Sequence, residues 1–511
     1  MTQEEIIFAE IPIEKMSLLT KEELIVLLRG EQSLRQQLQK DNNRLRDLNE
    51  ELKQKSFLVA DQLVNIKNKL FGKSSERSKK SASEDAGNTA PKKKRVLLPS
   101  ERYPNAPLIE RHITLDQLPS CGCCGSEMED SGMTEDSEYL TKVPAEYYVV
   151  VQMRHKYRCG TCHSDIKTAP CPPRIKEGSS YSDELIIDVA VSKYCDLIPV
   201  ERQAAIAGRE GIKDLPPQSL IEGTHNLADF VKGSYGKIKV EATSSKVLHA
   251  DETPHRMLEG DKKCNWFLWG FSTPRASYFE CHDTRSGDVA SELLIKSQCE
   301  FLVSDVFSGY AKAVKDTNKV RAEQNLPLII NVNCNAHARR YFKQAGDRFP
   351  LEAEFFINQY KEIYKLEALA KGKPPDERLK LRAQMRPHFE AIKTKSMSGV
   401  GGLSEKGGLG KAMNYFLKNY EGLTRFLANP SLPIDNNPQE RLLRNPVIGR
   451  KTWYGTHSKR GAETAAVLFS LVESCKLNQI NPREYFKKLV QDLHQGKPPY
   501  TPSEYKDMLK N

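Results

Sequence analysis

Three acidic residues have neighbours that suggest chemistry. Glu440 lies in IDNNPQERLLRNPVIGRKTWY, residues 434–454, where Asn437 is a natural helix N-cap and Pro438 suits the first helical position. That places Glu440 in the opening turn, with Arg444 one turn further along the same face and Arg441, Arg450 and Lys451 nearby. Two readings stay open. Glu440 is either a capping-box acid closing back on Asn437 or a metal-binding carboxylate guarded by bases, and the choice depends on partners elsewhere. Asp251 follows the apolar run in KVLHADETPH, and Asp305 follows the one in EFLVSDVFSGY. A single Asp at a strand end is usually a turn or cap residue. Two at matched points, with Glu440 on a later helix, are a candidate cation site. Three carboxylates meeting at one point raise one another's pKa unless cations neutralise them. Two Mg²⁺ ions, or Mn²⁺, would do so through hard oxygen ligands, roughly 4 Å apart, one activating an attacking oxygen and the other stabilising the leaving one. Asp251 would bridge both ions, with Asp305 and Glu440 completing one each. Arg444, Arg450 and Lys451 would either hold phosphates or pair within their own helix.

The cysteines form a second constellation. Cys121 and Cys124 make one Cys-x-x-Cys knuckle, Cys159 and Cys162 another, and Gly125 and Gly160 suit the tight turns. Such pairs hold one tetrahedral structural Zn²⁺. EYYVVVQMRHKYR between them reads as a ribbon strand, while Cys123, His163 and Cys171 lie close enough to leave the ligand choice open.

These residues need elements to position them. KVLHADETPH, CNWFLWGFST and ASYFECHD read as three strands, GDVASELLIKS as a helix, EFLVSDVFSGY as a fourth strand, and LPLIINVNCNAHARRYF as a fifth running into a helix. That order implies a mixed sheet with helices on its faces. In a ribonuclease-H-like arrangement the first and fourth strands are neighbours, which brings Asp251 and Asp305 to one edge. Residues 346–430 are polar and helical in pattern, broken by SGVGGLSEKGGLG, and read as an insertion before the Glu440 helix. Upstream, SDELIIDVAVSKYCD, ERQAAIAGREGI and LPPQSLIEGTHNLADFVKG suggest helix, short turn, helix. This is a helix-turn-helix signature that would send Gln218, Ser219 and the residues up to Asn226 into a major groove, or else an ordinary small bundle.

Leu34, Leu38, Leu45, Leu48 and Leu52, then after a phase slip Val59, Leu63, Ile66 and Leu70, form a coiled-coil seam with a stutter. The alternatives are pairing of two copies and packing on the chain's own domain. Residues 70–96 lose this periodicity to Ser, Lys, Gly and Pro and read as a linker, whose Lys92 to Arg95 run either meets phosphate or is simply solvated.

With 511 residues the chain exceeds one core, and 39% hydrophobic residues exclude general disorder. No apolar run reaches the roughly 18 residues of a membrane span, and the acidic start MTQEEIIFAEIPIEK lacks a signal core. A cytoplasmic, nucleoid-associated protein is expected, with its 12 cysteines reduced. The net charge of +10 suits a polyanionic partner such as double-stranded DNA.

Together LFGKSSER, the four-cysteine ribbon, HADETP, CNAHARRYF and LPIDNNPQERLLRNPVIGRKTWY resemble transposases of the insertion-sequence 66 family over nearly the whole length. The resemblance implies an acidic DDE triad of Asp251, Asp305 and Glu440. The family usually shows Asp-Gly-Tyr around its second acid, whereas Val306 and Phe307 follow Asp305 here. Its Cys-x-x-His feature matches Cys334 and His337, in a structural or supporting role. The expected fold is multidomain α/β: a coiled coil (1–72), a flexible basic linker (73–98), a zinc ribbon (99–176), a helix-turn-helix-like domain (177–240), a ribonuclease-H-like core (241–345), a helical insertion (346–430), the catalytic helix (431–470) and a C-terminal segment (471–511). The expected function is binding to the ends of an insertion sequence, then Mg-dependent nicking and strand transfer, by a homodimer or larger assembly and with companion proteins from the same element. The rival readings are a catalytically retired DNA-binding regulator and a zinc-stabilised assembly scaffold.

Overall fold

Backbone pairing explains how acids so distant in sequence are gathered. The computed structural model describes residues 166–258, 265–399 and 408–510 in full, residues 98–104, 137–141 and 146–158, and scattered positions between 20 and 126. The chain divides into two units, Met1–Thr141 and Lys142–Asn511.

In the first unit the described positions between 21 and 45 are helical, and Leu38 and Leu45 are exposed in the single chain. Leu34, Leu48, Leu52 and the later seam residues lie outside the described residues, as does most of the basic linker. A single helical turn, Pro99–Arg102, is closed by Glu101 and held by Glu138, which accepts from the Ser100 backbone and hydroxyl.

The second unit begins with a small antiparallel hairpin, β1 (Lys156–Arg158) and β2 (Ile166–Thr168). The expected long strand over 146–158 is thus realised only at its end. Four helices follow: α1 (Asp183–Tyr194), α2 (Val200–Arg209), α3 (Pro217–Phe230) and α4 (Lys232–Thr243). Ser182 caps α1 through its hydroxyl.

The central sheet runs β5-β4-β3-β6-β7, with β3 (Val247–Arg256), β4 (Asn265–Ser272), β5 (Ser277–His282), β6 (Phe301–Ser304) and β7 (Ile330–Asn333). The first three strands form an antiparallel meander, and β6 and β7 add in parallel. Parallel joins require crossovers, supplied by α5 (Gly287–Ile295) and α6 (Ser308–Glu323).

The outer edge of β5 would expose unpaired backbone groups. Helix α14 (Lys459–Leu477), buried on nearly every side, covers it: Ser470 and Ser474 hydroxyls accept from the N–H groups of Phe279 and Ser277 at 2.8 and 2.9 Å. Tyr235 from α4 donates to the Phe279 carbonyl. Helices α15 (Pro482–His494) and α16 (Pro502–Met508) complete this core.

After β7, α7 (Asn335–Ala345) leads into α8 (Pro350–Ala370), α9 (Pro375–Ala383), α10 (Arg386–Gly399), α11 (Gly408–Lys418) and α12 (Tyr420–Thr424). These helices form one helical segment after β7. It has its own core of Phe342, Phe356, Tyr360, Phe389, Phe416 and Phe426. Buried Arg382 pairs with Glu367 and donates to the carbonyls of Phe426 and Asn429, fixing the loop that leads to α13 (Asn437–Trp453). Helix α13 returns to lie on β3 and β4.

Candidate active site

The parallel ladder between β3 and β6 ends at His249 opposite Val303. Asp251 lies just beyond that point on β3, and Asp305 is the residue after Ser304, the last of β6. Asp251 is not at a strand end, as its spacing suggested. β3 continues to Arg256 because β4 pairs with it throughout, Asp251 facing Gly270. Glu440 arrives from the first turn of α13.

Asp251 senses the other two acids. Burial first, then the charges of Glu252, Asp305 and Glu440, push the Asp251 carboxyl well above the usual carboxylate range. The neighbouring Glu252 is committed differently: its carboxylate accepts from the Tyr310 hydroxyl at 2.6 Å and from Arg285 Nε at 2.8 Å. Arg285 also stacks on Phe307, 4.1 Å from the ring centroid. Asp305 Oδ1 accepts the Phe307 N–H at 3.0 Å, which turns the loop into α6. Of these two acids adjacent in sequence, Glu252 is thus the one that ties the loop.

Helix α13 starts one residue earlier than expected. Asn436 is the N-cap, Asn437 is already helical, and no side-chain cap from Asn436 forms. Asp435 takes that role, accepting the Asn437 N–H at 3.1 Å. Asn436 is therefore free to join elements: it donates to the Ala250 carbonyl at 2.9 Å, meets His249 Nδ1 at 2.8 Å, and donates its own N–H to Cys334 Sγ at 3.1 Å. Glu440 makes no capping box. Its Oε2 lies 3.4 Å from Arg340, its Oε1 lies 3.7 Å from His337 Nδ1, and Oε1 is buried without a hydrogen bond.

Arg340 escaped the sequence reading, although CNAHARRYF contains it, because nothing local links it to Glu440. Cys334, His337 and Glu440 bring donor atoms within 4.8 Å of one another. Burial pushes the Cys334 thiol up to about 12, against the pull of the Asn436 and His337 backbone N–H groups.

Residues 178–464, more than half of the chain, match the family model described as "Transposase IS66 family". The chain belongs to that family. Residues 119–163 match a second model, "zinc-finger binding domain of transposase IS66". Among curated relatives, the chain is 26% identical over 408 residues to a Sinorhizobium fredii protein named "Uncharacterized protein y4hP", covering 75% of this chain and 72% of the relative. It is 28% identical over 394 residues to "Uncharacterized protein y4jD" of the same organism, covering 74% and 75%.

For this IS66-family chain, the zinc-finger match supports a structural zinc site. Cys121, Cys159, Cys162 and His163 lie outside the described residues, while Cys123 and Cys124 are exposed. Of the bases singled out for DNA, Arg444 and Lys451 are exposed on α13, and Arg450 is half-buried. Gln218 and Ser219 are exposed at the start of α3, whose Glu222 and Asp229 are tied to Arg460. Among the described residues, no helix is long and apolar enough to cross a membrane.

Proposed function

We propose that this chain is an active DNA transposase. On this reading it binds the ends of its insertion sequence, nicks them and transfers the freed strand into target DNA, using Asp251, Asp305 and Glu440 on a ribonuclease-H-like core. The observation that carries the reading is the raised Asp251 carboxyl, forced up by burial and by the two other acids. Half-buried carboxylates whose charges act on one another suit hard divalent cations, which bind through oxygen. When bound, Mg²⁺ or Mn²⁺ would supply charge neutralisation and activation of the attacking oxygen. The side chains do the rest: Asp251, Asp305 and Glu440 hold the ions, and Arg340 keeps Glu440 turned toward the cleft. Exposed Arg444 and Lys451, on the helix that bears Glu440, are positioned to take flanking phosphates. Gln218 and Ser219 would meet DNA at the start of α3. Double-stranded DNA, a second copy of the chain and companion proteins of the element are the partners on this reading.

The test is cleavage of end-sequence DNA with Mg²⁺. The wild-type chain should yield a nicked product. Asp251→Asn, which keeps the side chain's size and its contact with the Glu252 N–H, should still bind the ends while losing cleavage by at least about a hundredfold. Specific binding without any product from the wild type would favour the retired regulator instead.

A further inference from the structure

We infer that Cys334, His337 and Glu440 form a binding site for a soft divalent cation of the zinc class, separate from the zinc ribbon and adjoining the acid cluster. Three observations support it, none of which depends on DNA chemistry.

The first is the donor set. A thiol, an imidazole and a carboxylate come within 4.8 Å of one another. Three such protein ligands with an open fourth position make a typical zinc site, and sulfur selects zinc, cobalt or cadmium over magnesium. The second is spacing. His337 Nδ1 and Glu440 Oε1 are 3.7 Å apart, too far for a hydrogen bond. That gap is close to the roughly 3.3–3.6 Å edge of a tetrahedron built from ordinary Zn–N, Zn–O and Zn–S bonds. Glu440 Oε1 is buried with no hydrogen-bond partner, a costly state that a cation would relieve.

The third is the scaffold. Cys334 is the N-cap of α7, and His337 lies in the first turn of that helix, so a Cys-x-x-His spacing brings both to one side. Glu440 comes from the first turn of α13, so the positive ends of two helix dipoles meet there and favour anionic ligands. Cys334 is buried, its N–H donates to the Ser304 carbonyl at 3.1 Å, and its Sγ receives the Asn436 N–H. Backbone N–H groups aimed at sulfur stabilise a thiolate. The thiol proton would leave to solvent as the metal–sulfur bond forms. Such an ion would fix Glu440 through Oε1 and leave Oε2 to Arg340 and the cleft.

The experiment counts metal on the full chain. The wild type, stripped by chelation and reloaded with Co²⁺ in excess Mg²⁺, is compared with Cys334→Ser and Asp251→Asn by elemental analysis and by the near-ultraviolet thiolate-to-cobalt absorption. Serine keeps the cap and the acceptor for Asn436 but not the soft ligand. Cys334→Ser should therefore fold normally, bind one equivalent fewer and lose part of the thiolate band, and Asp251→Asn should match the wild type. The readout is a difference, so the ribbon's own ion cancels. If Cys334→Ser misfolds, His337→Asn supplies the same count. Equal stoichiometry and spectra in the wild type and a folded Cys334→Ser or His337→Asn overturn the site. A lost equivalent with cleavage absent in all variants keeps this site and rejects the transposase chemistry.

Discussion

On the proposed reading, Asp251 would serve the chemistry at the expense of the fold. Its carboxyl is raised by burial and by three neighbouring acids. For an acid, a folded pKa above the unfolded one stabilises the native state fully at pH below the unfolded value. That contribution is lost as pH rises through the folded value. At neutral pH without metal, holding this raised carboxyl in the fold therefore costs stability, and Asp251→Asn should melt higher than the wild type. The expected gain is on the order of a few degrees, shrinking as pH falls toward the ordinary carboxylate range. Thermal melts of both proteins across that range, in chelator, would check it, and a lower melting point for Asp251→Asn would mean the carboxylate is structural. Asp251, Asp305 and Glu440 could be picked out from their own neighbourhoods, because an apolar run or a helix start announces each. Arg340 and Asn436 could not. Arg340 meets Glu440 across 100 positions, and Asn436 meets Ala250 across 186. No local pattern encodes such meetings; they arise when α7 and α13 both dock at the end of the β3–β6 ladder.

At the level of elements, periodicity identified the strands but not their limits. β3 carries past Asp251 because its pairing with β4 outruns its pairing with β6, and pairing length is a property of two strands together. The one-residue shift of α13 has a similar origin: Asp435 wins the cap once Asn436 is engaged by β3. The long ribbon strand expected over 146–158 survives only as Lys156–Arg158, and residues 146–151 are largely exposed despite their β-branched and aromatic side chains. Strand propensity without a partner to pair with does not make a strand. Helix α13 also depends on a glycine opposite it. A Cβ on Gly270 would come within 2.2 Å of Gln439 Nε2 and 2.8 Å of the Phe279 ring. Gln439 is fully buried beside Glu440, so the amide has nowhere simple to go. Gly270→Ala should cost roughly 1–3 kcal/mol in urea unfolding by overpacking this layer. Unchanged stability would mean α13 rides more loosely on the sheet.

In the whole molecule, folding and association are expected to fall to different parts of the chain. Among the described residues, the unit Lys142–Asn511 builds two large apolar cores from its own residues, one around the sheet and one among the helices after β7, and a small third one of Val189, Val200 and Leu220. Nothing in them calls for a second copy. The described helical stretch near the N-terminus is the opposite case, since Leu38 and Leu45 stand exposed at 57% and 62%. Isolated helices gain little stability from propensity alone, and a leucine seam becomes favourable only when a partner covers it. The N-terminal segment should therefore set the oligomeric state without contributing to the catalytic unit's stability. Deleting residues 1–72 should convert a dimer to a monomer by light scattering. The main thermal transition should move by no more than about 2 °C. A transition that fell with the deletion would make the helix part of the fold, and an already monomeric full-length chain would assign the exposed leucines to a different partner. On the proposed reading a dimer would matter because an element has two ends. On that reading two copies joined through their N-termini would act on both ends in one complex, each supplying its own Asp251, Asp305 and Glu440. The deletion should then bind a single end as the intact chain does and fail to bring two ends together.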